Sequence, residues 1–379
     1  MLKLNKFKSL IVLSILFSSL CLSFLMGQSA NAKTIGVVQP TNTVATCSVI
    51  MGSIPQPTPN VNCFSKVQPA IDASSAGDII KVGPGTFNER LIISKRIILQ
   101  GSSGFTSIIN AGGNSGIPSE STPITIKGNS AGAIIRSLVI KNAAFGKAGV
   151  YLERTTNVTV TNNKIMDNFY GIKTVAANGN TISNNVFTNT AQYGGWYAIL
   201  IQNTEYMTGG SKTQGSTNNT ISGNTIDQVA DGIFVGENCD SNRVLSNIVA
   251  STKGMALNVW GSDNNTIQSN TLKNSKIGVT LYGSNSNNLN SNKILNNAQA
   301  FQFDAMWGTT PSINNVITGN NIVGNTVNVK QGTGNGSTLV NMTNNWWGTT
   351  NRDEIVAKFK VNTLESILFD PYSDIEFYL

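Results

Sequence analysis

The chain has 379 residues, with 26 Lys and Arg against 19 Asp and Glu, a net charge of +7 and no histidine. The missing imidazole excludes every mechanism that needs a histidine base or ligand. Basic residues are too few and too scattered for the concentrated stripe that nucleic acid requires, so nucleic acid is excluded as a partner.

Residues 1–32 read as a secretory signal peptide. Lys3, Lys6 and Lys8 form a basic lead, the following stretch is mostly apolar, and Ala30-Asn31-Ala32 supplies a small-residue cleavage signal. No other stretch is apolar for long enough to cross a bilayer. The expectation is therefore a monomer without a membrane span that is secreted, periplasmic or at the cell surface. Removing the leader takes three basic residues and no acidic ones, so the mature charge falls to +4.

Residues 33–63 are rich in Thr, Pro and Asn and lack periodicity, which predicts an extended N-terminal segment. Cys47 and Cys63 flank its proline-rich loop. They can form one disulfide in an oxidising compartment or serve as unpaired small hydrophobes, and Cys239 is left over in either case. A short amphipathic helix follows over 64–73 with Ser65 as N-cap. Strands are expected at 78–82, 91–93 and 96–99, separated by Gly-rich turns.

From about Pro123 a repeat takes over. Asn163, Asn185, Asn224, Asn247, Asn270, Asn292, Asn320 and Asn345 recur at intervals of 22, 39, 23, 23, 22, 28 and 25. A period of roughly 20 to 25 residues is that of a stacked solenoid. Each unit carries two or three short strands of alternating apolar residues, too short for helices and punctuated by Asn, Gly, Ser and Thr. Asn suits a corner in the left-handed region, and stacked in register its amide can donate to the next Asn, which predicts an internal structural ladder.

This pattern resembles the right-handed parallel β-helix of pectate-lyase-like and pectinesterase-like secreted proteins. Val67-Gln68-Pro69-Ala70-Ile71-Asp72 through Gly77-Asp78-Ile79-Ile80-Lys81-Val82 is similar to the opening of those proteins, where a helix caps the first coil. Asn344-Asn345-Trp346-Trp347-Gly348 is similar to the ending common in β-helix repeat proteins. The expected fold is all-β, a β-helix over 64–350 with an N-terminal capping helix. A C-terminal cap is expected over 351–379, containing a helix at 352–360 and a last strand at 367–371.

The fold hosts many activities, so function rests on residues. Asp231-Gly232-Ile233-Phe234-Val235-Gly236 is superficially similar to a pectin methylesterase motif, but with an inserted residue and changed order, and the ordinary repeat explains it. Polygalacturonase and alginate epimerase motifs require histidine. Copper-associated periplasmic β-helix proteins share the repeat pattern, yet this chain lacks their soft ligands. The enzymatic option that remains is a polysaccharide lyase, with Lys or Arg as base and Ca²⁺ held by carboxylates. Weak candidates are Lys173, Arg154 or Lys212 as base and Glu153, Glu205, Glu237 and Asp304 as ligands. No other cofactor is implied.

The outward positions of the strand after each unit's Gly form a vertical stripe of aromatics, amides and acids. Phe234, Asn258, Trp260 and Tyr282 belong to it. Two insertions inside the 39-residue interval add Tyr193, Trp196, Tyr197 and Tyr206, and a smaller one adds Trp307. Aromatics on a rigid wall can stack on sugar faces while amides and acids bond to hydroxyls. The primary expectation is a protein that binds an extended polysaccharide along its side wall. The alternatives are the lyase and a structural or adhesive envelope protein.

Overall fold

A computed structural model describes residues 32–39, 63–112, 121–189, 196–204, 214–306, 310–332, 334 and 339–379. Residues 1–31, nearly all of the expected signal peptide, and Cys47 lie outside the described residues. The repeat winds into a parallel β-solenoid whose strands form three sheets of 14, 10 and 11 strands among the described residues. One coil shows the plan: Thr181–Ser183 belongs to the first sheet, Val186–Thr188 to the second and Tyr197–Gln202 to the third.

Register is strict because a slip by one residue would turn the aliphatic side chains outward. In the first sheet Val160 pairs with Ile182, Ile182 with Ile221, Ile221 with Val244 and Val244 with Ile267. All five are fully buried in one continuous core. Each such side chain contributes about 1.5–3 kcal/mol relative to exposure.

The eight expected asparagines do form a ladder, and all are buried. From Asn163 to Asn320, both the backbone N–H and the Nδ2 of each donate to the Oδ1 of the next, at 2.9–3.1 Å. Their predicted left-handed backbone is corrected, however. Positive φ belongs to the residue before each one: Asn162, Asn184, Gly223, Ser246, Ser269, Ser291, Gly319 and Asn344. The division of labour is physical: the preceding residue turns the chain, which leaves the ladder Asn free to aim its amide down the stack.

A second ladder, not expected from the sequence, lines the corner between the third and first sheets. It runs Asn180, Asn219, Asn242, Asn265, Asn287 and Asn315, each backbone N–H donating to the next Oδ1 at 2.8–2.9 Å. The remaining corner uses hydroxyls and amides: the Thr252 N–H donates to Ser275, Ser275 to Asn297 and Asn297 to Asn325.

Both ends differ in detail from expectation. Thr34–Val37, within the segment expected to be extended and without periodicity, pairs with Ile79–Val82 in the first sheet. The stack therefore begins well before Pro123. The opening helix is Val67–Ala73, and its N-cap is Lys66 rather than Ser65, without a side-chain cap bond. Glu89 serves instead: its two carboxylate oxygens accept from the N–H groups of Val67 and Gln68 at 2.8 and 3.0 Å. An anion at a helix start satisfies donors that have no partner within the helix. Cys63 is disulfide-bonded and Cys239 is a free, buried cysteine. The closing helix is Arg352–Ala357, shorter than the 352–360 expected, because Phe359–Lys360 turns into a strand of the third sheet. Ile367–Leu368 then rejoins the first sheet.

Candidate functional site

The third sheet presents the stripe. Its registered outward column runs Tyr151, Lys173, Leu200, Phe234, Asn258, Thr280 and Gln302. A parallel column two residues on contains Trp260, Tyr282 and Asp304 in adjacent coils. Neighbours in a column stand about 4.8 Å apart. The second residue of each of these strands is glycine or alanine. Gly171 illustrates why: a Cβ there would lie 2.4 Å from the Ala198 carbonyl oxygen and 2.8 Å from Phe187. In Met255–Trp260, Leu257 and Val259 face the core, while Met255 at the strand's start is half-buried.

Aromatic rings follow one another along this wall. Phe145 lies 4.5 Å from Phe169, which stacks on Trp196 at 5.9 Å. Tyr170 stacks on Tyr197 at 6.2 Å and 8°, and Tyr197 meets Phe234 at 4.9 Å. Phe234 is 6.5 Å from Trp260, which stacks on Tyr282 at 3.8 Å. Phe145 and Trp196 are exposed at one end of the series, at 83% and 50%. Trp260 and Tyr282 are half-buried. The middle is closed: Tyr197, Phe234 and Asn258 are buried at 8%, 1% and 3%. The stripe is thus two accessible stretches joined by a buried aromatic junction.

At the first stretch, Lys173 places its ammonium 5.4 Å from the Tyr170 ring and 6.0 Å from the Tyr151 ring. Burial, assisted by nearby Lys147, holds its amine below the ordinary lysine value. Burial, then Glu153, raises the Tyr151 phenol. Arg154 reaches back to Glu153 at 3.6 Å and is largely exposed. Beside the second stretch, polar atoms are enclosed rather than presented. Glu237 Oε2, Asn258 Oδ1 and Thr280 Oγ1 are buried without a hydrogen-bond partner. Gln302 Nε2 donates to Asp304 at 2.5 Å.

The proposed calcium ligands do not converge. Glu237 is three coils from Glu153, and Asp304 six, which is about 14 and 29 Å at the strand spacing. Among the described residues no three His, Cys, Asp or Glu side chains come together. Tyr193, Glu205, Tyr206, Lys212 and Trp307 lie outside the described residues. Phe145, Phe169 and Tyr170 were missed by the sequence reading. The available signal was a doublet repeated one coil apart, Phe169-Tyr170 and Trp196-Tyr197, with Tyr170 and Tyr197 in register.

Residues 198–358 match the sequence model of the family described as periplasmic copper-binding protein (NosD), and 92–204 match that of the right handed beta helix region. The chain is a right-handed parallel β-helix repeat protein. It is 30% identical to a cell surface glycoprotein of Methanothermus fervidus over an alignment of 312 residues, covering 65% of this chain. The chain spans half the length of that relative. Two solved structures share the fold. The lacto-N-biosidase of Eubacterium ramulus has a TM-score of 0.55 at 12% identity, covering 79% of this chain and 64% of its own. PfbA, a surface adhesin of Streptococcus pneumoniae, has a TM-score of 0.50 at 12% identity, covering 73% and 81%. The protein is accordingly a secreted, periplasmic or cell-surface β-helix. Copper does not fit its donor set: histidine is absent and Cys239 is fully buried in the core.

Proposed function

We propose that the outward wall of the third sheet binds an extended polysaccharide at the cell surface. The observation that carries this reading is the run of rings from Phe145 to Tyr282 along successive coils, open at both stretches. Rings on a rigid scaffold offer stacking surface at little entropic cost, and a repeat of about 4.8 Å per coil suits a linear ligand lying along the stack. Surface placement of the relative from Methanothermus fervidus agrees with a role in the envelope.

The test is glycan-array binding by the intact protein alongside Trp196→Ala and Trp260→Ala. Loss of signal in either variant supports the wall. Binding that both variants retain excludes it, and failure to bind any glycan favours a structural or adhesive role. The lyase alternative gains no support from the carboxylates, which are spread along the stack. Its distinguishing readout is ultraviolet absorbance from unsaturated uronate products, dependent on Ca²⁺.

A further inference from the structure

The corner between the third and first sheets carries a pattern unrelated to the wall. Residues 157, 179, 218, 241 and 264 occupy the same place in five successive coils. The N–H of Asn157 donates to the carbonyl of Asn178, Gly179 to Thr217, Asn218 to Asp240 and Ser241 to Asp263. All five have positive φ, between 54° and 64°. Three of them are asparagines, in every second coil, and all three side chains are exposed.

Each of those three is followed two residues later by threonine: Asn157-Val158-Thr159, Asn218-Asn219-Thr220 and Asn264-Asn265-Thr266. Asn-x-Thr is the acceptor sequence for N-linked glycosylation in exported proteins. The fold explains the asparagines, since the corner needs a left-handed residue. It does not require the threonines, because Arg243, Asn288 and Val316 hold the same register in other coils. Thr159, Thr220 and Thr266 are half-exposed on the outward face of the first sheet, next to their asparagines.

We infer that Asn157, Asn218 and Asn264 are N-glycosylation acceptors, forming a row of glycans along one edge of the stack. A transferase of the export pathway would supply the sugar from a lipid-linked phosphate donor. The bond between sugar C1 and the phosphate oxygen breaks and a bond from C1 to Asn Nδ2 forms. One Nδ2 proton is released, and the lipid phosphate departs with the electron pair of the broken bond. Acceptors two coils apart are about 9.6 Å from one another, with Gly179 and Ser241 between them leaving the space clear.

A further sequon among the described residues, Asn341-Met342-Thr343, provides an internal contrast. Asn341 is half-buried, and its Oδ1 accepts from the Thr343 hydroxyl at 2.9 Å and from the Thr343 N–H at 3.2 Å. Its side chain is less exposed than those of the three corner asparagines, so it should remain bare.

The experiment is intact mass and glycopeptide fragmentation of the full protein purified from the organism that produces it. The expected result is glycan mass on the peptides containing Asn157, Asn218 and Asn264 and none on Asn341. Thr159→Val, Thr220→Val and Thr266→Val should each remove one glycan, and the triple variant all three. Asn→Gly at the same corners is the second route, since Gly179 shows that glycine accepts this φ. Corner peptides recovered at their unmodified mass, or sugar found on Asn341 instead, would overturn the assignment.

Discussion

Substituting Asn247 by Ala in the middle of the first ladder removes four hydrogen bonds at once. Its Nδ2 donates to the Ile221 carbonyl at 2.9 Å and to Asn270 Oδ1 at 3.0 Å. Its Oδ1 accepts from the Asn224 N–H at 3.0 Å and from Asn224 Nδ2 at 2.9 Å. Asn224 Nδ2 keeps its bond to Ile182 and Asn270 Oδ1 keeps the Asn247 N–H, so those two groups stay satisfied. The Asn224 N–H is left buried and unbonded, whereas the Ile221 carbonyl keeps its place in the parallel ladder beside Val244. At about 1–3 kcal/mol for that orphaned donor, the variant should lose roughly 1–3 kcal/mol. Asn288→Ala is the control, because Asn288 is exposed and its Oδ1 accepts from half-buried Asn290 at 3.1 Å. It should change stability by no more than about 0.5 kcal/mol. Urea unfolding followed by circular dichroism reads both. A loss below about 1 kcal/mol for Asn247→Ala, or equal losses for the two variants, would refute the ladder as a source of stability.

Other outcomes follow from single groups. Burial raises the Asp231 carboxyl above its usual range, outweighing the bond it accepts from the Met255 N–H and the attraction of Lys276. A raised folded value means that this contribution to stability is present at low pH and is lost as pH rises through it. Asp231→Asn should therefore be more stable than the parent at pH 7, with the difference vanishing below the ordinary carboxylate range in thermal melts. Burial pushes the Cys239 thiol up to about 12, so native protein should resist a thiol reagent that labels this cysteine once urea unfolds the chain. Glu89→Gln keeps shape but loses the charge at the helix start, and should lower stability by about 0.5–1 kcal/mol in the same urea assay. An unchanged midpoint would mean that the cap contributes nothing.

The solenoid was legible because its determinants are local and repeated. Alternating aliphatics such as Ile221 and Ile226 and the Asn period specify strand, corner and stacking without reference to distant residues. The left-handed turn was assigned one residue late because Asn serves both tasks, turning the chain at Asn162 and Asn184 and laddering at Asn163 and Asn185. The second ladder was hidden because Asn219 and Asn224 belong to one unit, and spacing alone favours one period over two. Outward direction at Phe234, Asn258 and Trp260 followed from strand alternation. Their differing accessibility did not, since burial at Phe234 arises from packing against Tyr197 and Trp260, which are far away in sequence. Convergence of Glu153, Glu237 and Asp304 could not be judged from sequence either; only the count of coils between them separates carboxylates that share a wall from carboxylates that share an ion.

The most direct test of the wall as a glycan surface is tryptophan fluorescence titration with oligosaccharides of increasing length, chosen from the best array binder. A ligand lying along the stack should gain affinity with each added sugar until it spans both accessible stretches, and Trp260→Ala should flatten that rise. Affinity that does not change with length, or a length dependence that Trp260→Ala leaves intact, would contradict the account.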